Sequence, residues 1–189
     1  MRLLPNIITL CRLVAVPLTV YFILIGELEA AFWLFVAAGV SDAIDGAIAR
    51  LFDARTTLGA FLDPLADKAL LVSVYLSLAK VGLLPLWLVI LVVFRDLLIV
   101  GGVLLSYTLR QPVTMRPLYV SKLNTLAQLA LAALVLAVEG PGLQGLESLL
   151  IFGHTPVGIL EGVVAVTTVL SGLGYVLRCD LLFGGGERT

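Results

Sequence analysis

The sequence predicts an all-α polytopic membrane protein with six transmembrane helices and both termini in the cytoplasm. Three observations carry that expectation: composition, the spacing of apolar runs, and the placement of positive charge. The chain is 60% hydrophobic and only 13% charged over 189 residues, with a mean hydropathy of +1.11. A soluble domain is nearer about 45–50% apolar and about 25% charged. A water-soluble globule of this size has no interior large enough for so much apolar surface. A bilayer removes the difficulty, and one membrane domain over residues 1–189 suffices.

Each span needs roughly 20 mostly apolar residues. Six stretches meet that length, at residues 8–25, 30–49, 58–79, 84–106, 120–138 and 156–178. Residues 1–7 are expected to form a short interfacial lead-in. Pro85 and Pro156 stand where the fourth and sixth helices should begin, a place where a missing N–H costs nothing. Gly140-Pro141-Gly142 should stop the fifth span, and the loop before it is punctuated by Gln111-Pro112 and Arg116-Pro117. The final Gly-Gly-Gly-Glu-Arg-Thr reads as a frayed tail.

Positive charge sets the orientation. With a cytoplasmic N-terminus, Arg2, Arg12, Arg50, Arg55, Arg110, Arg116, Lys122, Arg178 and Arg188 all fall on or near the inner side. The outer loops around Glu27 and Glu29, and around Glu139 and Glu147, hold no Lys or Arg, and Lys80 alone breaks the pattern. This asymmetry follows the positive-inside rule. Pro5, Asn6, Arg12 and Pro17 interrupt the first apolar run, so no cleavable targeting segment is expected. A net charge of −1 gives no reason to expect a nucleic-acid partner. Cys11 and Cys179 lack metal-ligand spacing and imply no disulfide framework.

Against this apolar background, acids inside the spans stand out. Asp42 and Asp45 fall in the last turns of the second span, and Asp63 and Asp67 in the first turns of the third. An ionised Asp in a span costs at least ~2.5–3.5 kcal/mol, so four together require compensation. The spacings i, i+3 and i, i+4 put each pair on one helix face. Two adjacent antiparallel helices would point all four carboxylates at one another, and several would protonate unless cations intervened. Oxygen-only ligation suits Mg²⁺ or Mn²⁺. Two such ions can clamp a transferring phosphoryl group. Gly46, Ala49 and Gly59 are small enough to admit a ligand close to the backbone, and Arg50 and Lys68 could neutralise a diphosphate. Two other readings stand beside this one. The aspartates could pair with Arg50, Arg55 and Lys68 as buried salt bridges, or line a divalent-cation transport route.

The string Asp42-x2-Asp45-Gly46-x2-Ala49-Arg50-x8-Gly59-x3-Asp63-x3-Asp67 resembles the signature of the CDP-alcohol phosphatidyltransferase family at every fixed position. The resemblance runs from Leu4-Pro5-Asn6 through Asp63-Pro64-Leu65-Ala66-Asp67-Lys68 to the sixth span. It implies six transmembrane helices, a homodimer, and an active site opening to the cytoplasm. A cytoplasmic N-terminus without a transit peptide favours a bacterial plasma membrane over an organelle. The resemblance also implies metal binding by Asp42, Asp45 and Asp63, with Asp67 as the base on the acceptor hydroxyl and a possible further metal contact. Asp42, Gly46, Ala49, Arg50 and Gly59 would meet the CDP moiety of CDP-diacylglycerol.

The acceptor alcohol is the finer question. Arg95 and Asp96 lie near the middle of the fourth span. They could form a local ion pair with each other or with the aspartate cluster, or Arg95 could reach the acceptor's phosphate. Phosphatidylglycerophosphate synthases of the family typically show Arg-Glu here and a second Arg two turns on, where this chain has Val103. They also usually carry Gly-Lys-x-Lys-Thr where this chain reads Ser121-Lys122-Leu123-Asn124-Thr125. Phe94-Arg95-Asp96-Leu97-Leu98-Ile99 and Ser121 to Gln128 look more like the CMP-forming cardiolipin synthase branch. Fewer cations suit phosphatidylglycerol, with one phosphodiester charge, better than glycerol-3-phosphate, with a dianionic phosphomonoester. Phosphatidylglycerol is therefore the expected acceptor and glycerol-3-phosphate the alternative. Arg116 and Lys122 are further acceptor or headgroup candidates, or ordinary cytoplasmic flank charges. Trp33 and Trp87 read as interfacial anchors, and His154 as a loop residue.

Overall fold

The computed structural model describes the backbone of residues 4–51, 57–108, 119–141 and 155–183, and within these the side chains of residues 13–41, 68–101, 119–141 and 155–175. Among the described residues the regular structure is entirely helical: α1 (Leu4–Leu24), α2 (Leu28–Leu51), α3 (Thr57–Lys80), α4 (Leu86–Thr108), α5 (Tyr119–Glu139) and α6 (Pro156–Phe183). These are the six expected helices, most of their ends lying within two or three residues of the expected bounds. One expectation needs correction. The helix begins at Leu4, so residues 4–7 belong to α1 and not to a separate lead-in. Pro5 is tolerated there because first-turn N–H groups have no intrahelical partner.

The helix ends follow from local chemistry. Gly26 and Gly82 take positive φ, at 83° and 82°. Each closes its helix in the same way. Gly26 N–H donates to Ile23 O and Glu27 N–H to Phe22 O, while Gly82 N–H donates to Ala79 O and Leu83 N–H to Leu78 O. This is the Schellman arrangement, in which a left-handed glycine satisfies the last carbonyls. Pro85 O accepts from Leu88 N–H at 3.0 Å and starts α4. Pro156 is the first residue of α6, as its fixed φ favours.

The chain divides into two compact units. The first comprises Met1–Leu84 and Ala132–Pro156, so it holds α1, α2, α3 and the end of α5. Within it α1 packs against both α2 and α3. Its core includes Ile23, Ala31, Phe35, Leu70, Val74, Tyr75, Leu78 and Leu136. The end of α5 meets the start of α2 so closely that a Cβ on Gly140 would lie 2.7 Å from both the carbonyl carbon and oxygen of Leu28. The second unit comprises Pro85–Leu131 and Val157–Thr189, and so holds α4, the first half of α5, and α6.

Exposure in this second unit is inverted relative to a soluble protein. Phe94 and Leu97 are 61% and 65% exposed, whereas Arg95 and Asp96 between them are 3% and 5% exposed. Leu86, Trp87 and Ile90 continue the exposed apolar face of α4, while Leu88, Val89 and Val92 line its interior. A broad apolar exterior of this kind marks contact with something other than water. Among the described residues, Tyr119–Glu139 and Pro156–Tyr175 are each long and apolar enough to cross a bilayer. Hydroxyl groups are handled as an apolar surrounding demands: Thr19, Ser41 and Ser77 donate to the carbonyl four residues earlier, at 2.8, 2.7 and 2.7 Å.

Candidate active site

The acid pairs fall where continuous helix makes their spacing meaningful. Asp42 and Asp45 lie in the second half of α2, which runs unbroken to Leu51. Asp63 and Asp67 lie in the first half of α3. Intervals of three and four residues therefore correspond to about 60° and 40° of helical rotation, so the members of each pair share a face, and Asp67 is about 6 Å along the axis from Asp63. Gly46, Ala49 and Arg50 follow on α2, and Gly59 stands near the start of α3. Both helices belong to the first unit and pack on α1. The side chains from Asp42 through Asp67 lie outside the described residues. The donor set in the adjoining halves of α2 and α3 is nonetheless chemically definite: the four carboxylates of Asp42, Asp45, Asp63 and Asp67, with no Cys or His in either helix. Such a set fits a hard divalent cation. Lys68, next along α3, is partly buried.

The other candidates fall elsewhere. Arg95 and Lys122 belong to the second unit, and Arg116 lies outside the described residues. Lys122 is exposed on α5. Arg95 is buried at the centre of a polar seam built by α4, α5 and α6. Its Nη1 meets Asp96 Oδ1 at 2.7 Å. Its Nε and Nη2 both donate to Ser171 Oγ of α6, at 3.1 and 2.6 Å, and Nη2 also donates to Ser121 Oγ of α5. The alkyl stem of Arg95 passes over Gly172, whose missing side chain leaves room 3.9 Å from Arg95 Cγ. The local ion pair is thus formed between Arg95 and Asp96, whose charges offset each other.

One turn along α5 the seam continues. Asn124 is fully buried, and its Oδ1 accepts from Thr167 Oγ1 at 2.8 Å and Thr168 Oγ1 at 2.9 Å, both on α6. Gln128, one further turn along, is also fully buried. Thr167, Thr168 and Ser171 are not among the residues the sequence singles out. The signal was present: Ser121, Asn124 and Gln128 recur at three and four residues on one face of an apolar helix, as do Thr168 and Ser171 on another. Polar groups on a buried helix face call for partners.

Comparison with known proteins turns this geometry into a family assignment. The family model described as CDP-alcohol phosphatidyltransferase matches residues 2–172. The chain belongs to that family. It is 34% identical over 196 residues to a "Probable cardiolipin synthase (CMP-forming)" of Drosophila melanogaster, an alignment covering 92% of this chain and 56% of that protein. It is 36% identical over 189 residues to a "Cardiolipin synthase (CMP-forming) / mitochondrial hydrolase fusion protein" of Schizosaccharomyces pombe, covering 92% of this chain and 30% of that one. A "Probable phosphatidylglycerophosphate synthase" of Mycobacterium tuberculosis is 32% identical over 193 residues, covering 98% of this chain and 86% of that protein. The chain thus spans about half or less of the length of the first two relatives. The matched residues include α2 and α3, from Leu28 to Lys80.

Proposed function

We propose that the chain is a membrane phospholipid synthase that transfers the phosphatidyl group of CDP-diacylglycerol to a hydroxyl of phosphatidylglycerol, giving cardiolipin and CMP. The observation that carries the reading is the eight-residue signature from Asp42 to Asp67, whose acid pairs fall in helical register on α2 and α3 of a family member. In this reading Asp42, Asp45 and Asp63, with Asp67, hold two Mg²⁺ or Mn²⁺ ions, which when bound stabilise charge on the transferring phosphoryl group. Gly46, Ala49 and Gly59 leave the nucleotide room against the helix backbone, while Asp42 and Arg50 contact the CDP moiety. Asp67 takes the proton from the acceptor hydroxyl. The freed oxygen forms a bond to the β-phosphorus, and the bond from that phosphorus to the CMP oxygen breaks. Lys68 offers a further point charge for the diphosphate, and Arg95, Lys122 and Arg116 remain the candidates for the acceptor's phosphate.

Phosphatidylglycerol is favoured as acceptor because Arg95 is already neutralised by Asp96, while Val103 and Asn124 stand where a phosphomonoester would benefit from cations. A glycerol-3-phosphate acceptor is the second reading. It is favoured by the mycobacterial relative's name and by that relative's near full-length match. The apolar exterior of α4 and the two described helices able to cross a bilayer support membrane insertion. The reading of a single domain of six spans, with both termini and the active site cytoplasmic, rests on the apolar runs and positive-charge asymmetry of the sequence and on the family resemblance. A homodimer in a bacterial inner membrane completes the proposal.

The experiment pairs the two acceptors. Purified full-length chain in mixed micelles receives CDP-diacylglycerol, Mn²⁺ or Mg²⁺, and either phosphatidylglycerol or glycerol-3-phosphate. CMP release with phosphatidylglycerol, and cardiolipin as product, is expected. Preferred turnover of glycerol-3-phosphate would move the assignment to the second reading. Release with neither acceptor would remove both.

A further inference from the structure

We propose that Arg12 is a substrate-binding residue, its guanidinium bonding the diphosphate of the CDP-linked lipid. The inference rests on the transferase reading above and deepens it. It concerns the first unit alone, where α1 packs against both α2 and α3.

Each of these helices has a buried stripe among its described side chains. On α1 it is Ala15, Thr19 and Ile23; on α2, Ala31, Phe35 and Ala38. On α3 it includes Leu70, Leu71, Val74 and Leu78. Steps of three and four residues keep to one helix face. Continued by such steps toward the cytoplasmic ends, the α2 stripe reaches positions 42 and 45, and the α3 stripe reaches positions 67 and 63. The acid pairs therefore stand in register with the buried faces of their helices. The α1 stripe, continued in the same way, reaches Arg12, three residues before Ala15. With 3.6 residues per turn, position 12 falls within about 20° of the centre of the Ala15, Thr19 and Ile23 stripe.

Depth agrees with register. At 1.5 Å per residue, Arg12 lies about 18 Å along α1 from Leu24, and Asp42 about 21 Å along α2 from Leu28. Asp67 lies about 20 Å along α3 from Lys80. Counted from one end of the unit, the three positions share a level. Arg12 also stands eight residues inside α1, which begins at Leu4, so it is no helix-end charge. A cation so placed is costly in a membrane without an anion to meet it. In the reading above, two divalent ions offset the carboxylates of Asp42, Asp45, Asp63 and Asp67. Those acids are then occupied by metal, and the guanidinium is left for an anion brought by the substrate. The diphosphate of the nucleotide lipid is that anion, and its oxygens suit the planar fork of arginine donors.

The test compares full-length wild type, Arg12→Met and Arg12→Lys in mixed micelles. It measures kcat, KM for each substrate and thermal stability, and also CDP-diacylglycerol binding by calorimetry with Mn²⁺ and no acceptor. Arg12→Met removes the charge and keeps an unbranched side chain. It is expected to raise both KM and Kd for CDP-diacylglycerol about tenfold or more, the loss of one charge-assisted hydrogen bond. KM for the acceptor should stay unchanged. Arg12→Lys, which keeps the charge without the fork, should fall between, and it carries the test if the methionine variant fails to fold. Wild-type KM and Kd for CDP-diacylglycerol in both variants would overturn the proposal and leave Arg12 an inner-side charge facing lipid headgroups. So would a loss of stability with no change specific to CDP-diacylglycerol, the mark of an ion pair with an aspartate. Wild type that releases CMP with neither acceptor would fail the transferase reading itself, a result distinguishable from any difference among the variants.

Discussion

Arg95 and Asp96 are neighbours in sequence, yet they close a 2.7 Å salt bridge with side chains only 4% and 6% exposed. Successive helix residues do not ordinarily face one another. They meet here because the guanidinium is drawn sideways across α4, its other nitrogens held by Ser171 on α6 and Ser121 on α5. One side chain thus ties three helices together.

Removing Asp96 alone should be worse than removing both charges. Asp96→Leu leaves a buried guanidinium without its counter-charge and should cost about 3–5 kcal/mol, whereas Arg95→Met combined with Asp96→Leu should recover much of that loss. Denaturation midpoints in detergent micelles for the two singles and the double measure this. Additive losses would show the pair to be energetically uncoupled.

Gly140 admits no side chain. An alanine there would push its Cβ to 2.7 Å from the Leu28 backbone, and overpacking of this kind costs about 1–3 kcal/mol. Gly162 of α6 has nothing within 4 Å of the equivalent position. There the same change should be neutral or stabilise by up to about 1 kcal/mol, through helix propensity. Parallel thermal melts of the two variants check the contrast.

Gly26 and Gly82 end their helices with φ of 83° and 82°, in open space where a Cβ meets nothing. Gly26→Ala and Gly82→Ala should therefore each cost about 1–2 kcal/mol through backbone strain alone. Substitution by asparagine, which tolerates this conformation better, should cost less. Hydrogen exchange of the flanking amides would report the loosened helix ends.

The helices were legible because their boundaries are local. Pro85 and Pro156 announce starts, and the Gly140-Pro141-Gly142 run announces a stop, without reference to the rest of the chain. The entry to α1 was not, since Pro5 reads equally as a breaker or as a first-turn residue. The acid pairs were legible for a different reason: carboxylates in apolar helices are costly enough to be conspicuous, and three- and four-residue spacings mean something only once the segments are helical. The seam around Arg95 was half visible. Its charges drew attention, but Ser171 is 76 residues from Arg95, and a lone serine in an apolar helix usually satisfies itself on its own backbone. Long-range pairing of that sort leaves no local trace. It emerges only when α4, α5 and α6 are assembled.

If the carboxylates of α2 and α3 hold the metals, chelation should abolish CMP release, and added Mg²⁺ or Mn²⁺ should restore it. Asp42→Asn, Asp45→Asn and Asp63→Asn should each raise the divalent-ion concentration needed for half-maximal rate. Titrating metal back into chelated protein measures the shift, and an unchanged midpoint in all three variants would speak against ligation by these residues.

Asp67→Asn tests the account most directly, with Mn²⁺ binding followed by electron paramagnetic resonance and CMP release measured on the same full-length preparation. The account predicts a folded protein that still takes up Mn²⁺, with turnover down by about 10²–10⁴-fold. A variant that binds Mn²⁺ and releases CMP at the wild-type rate would contradict it.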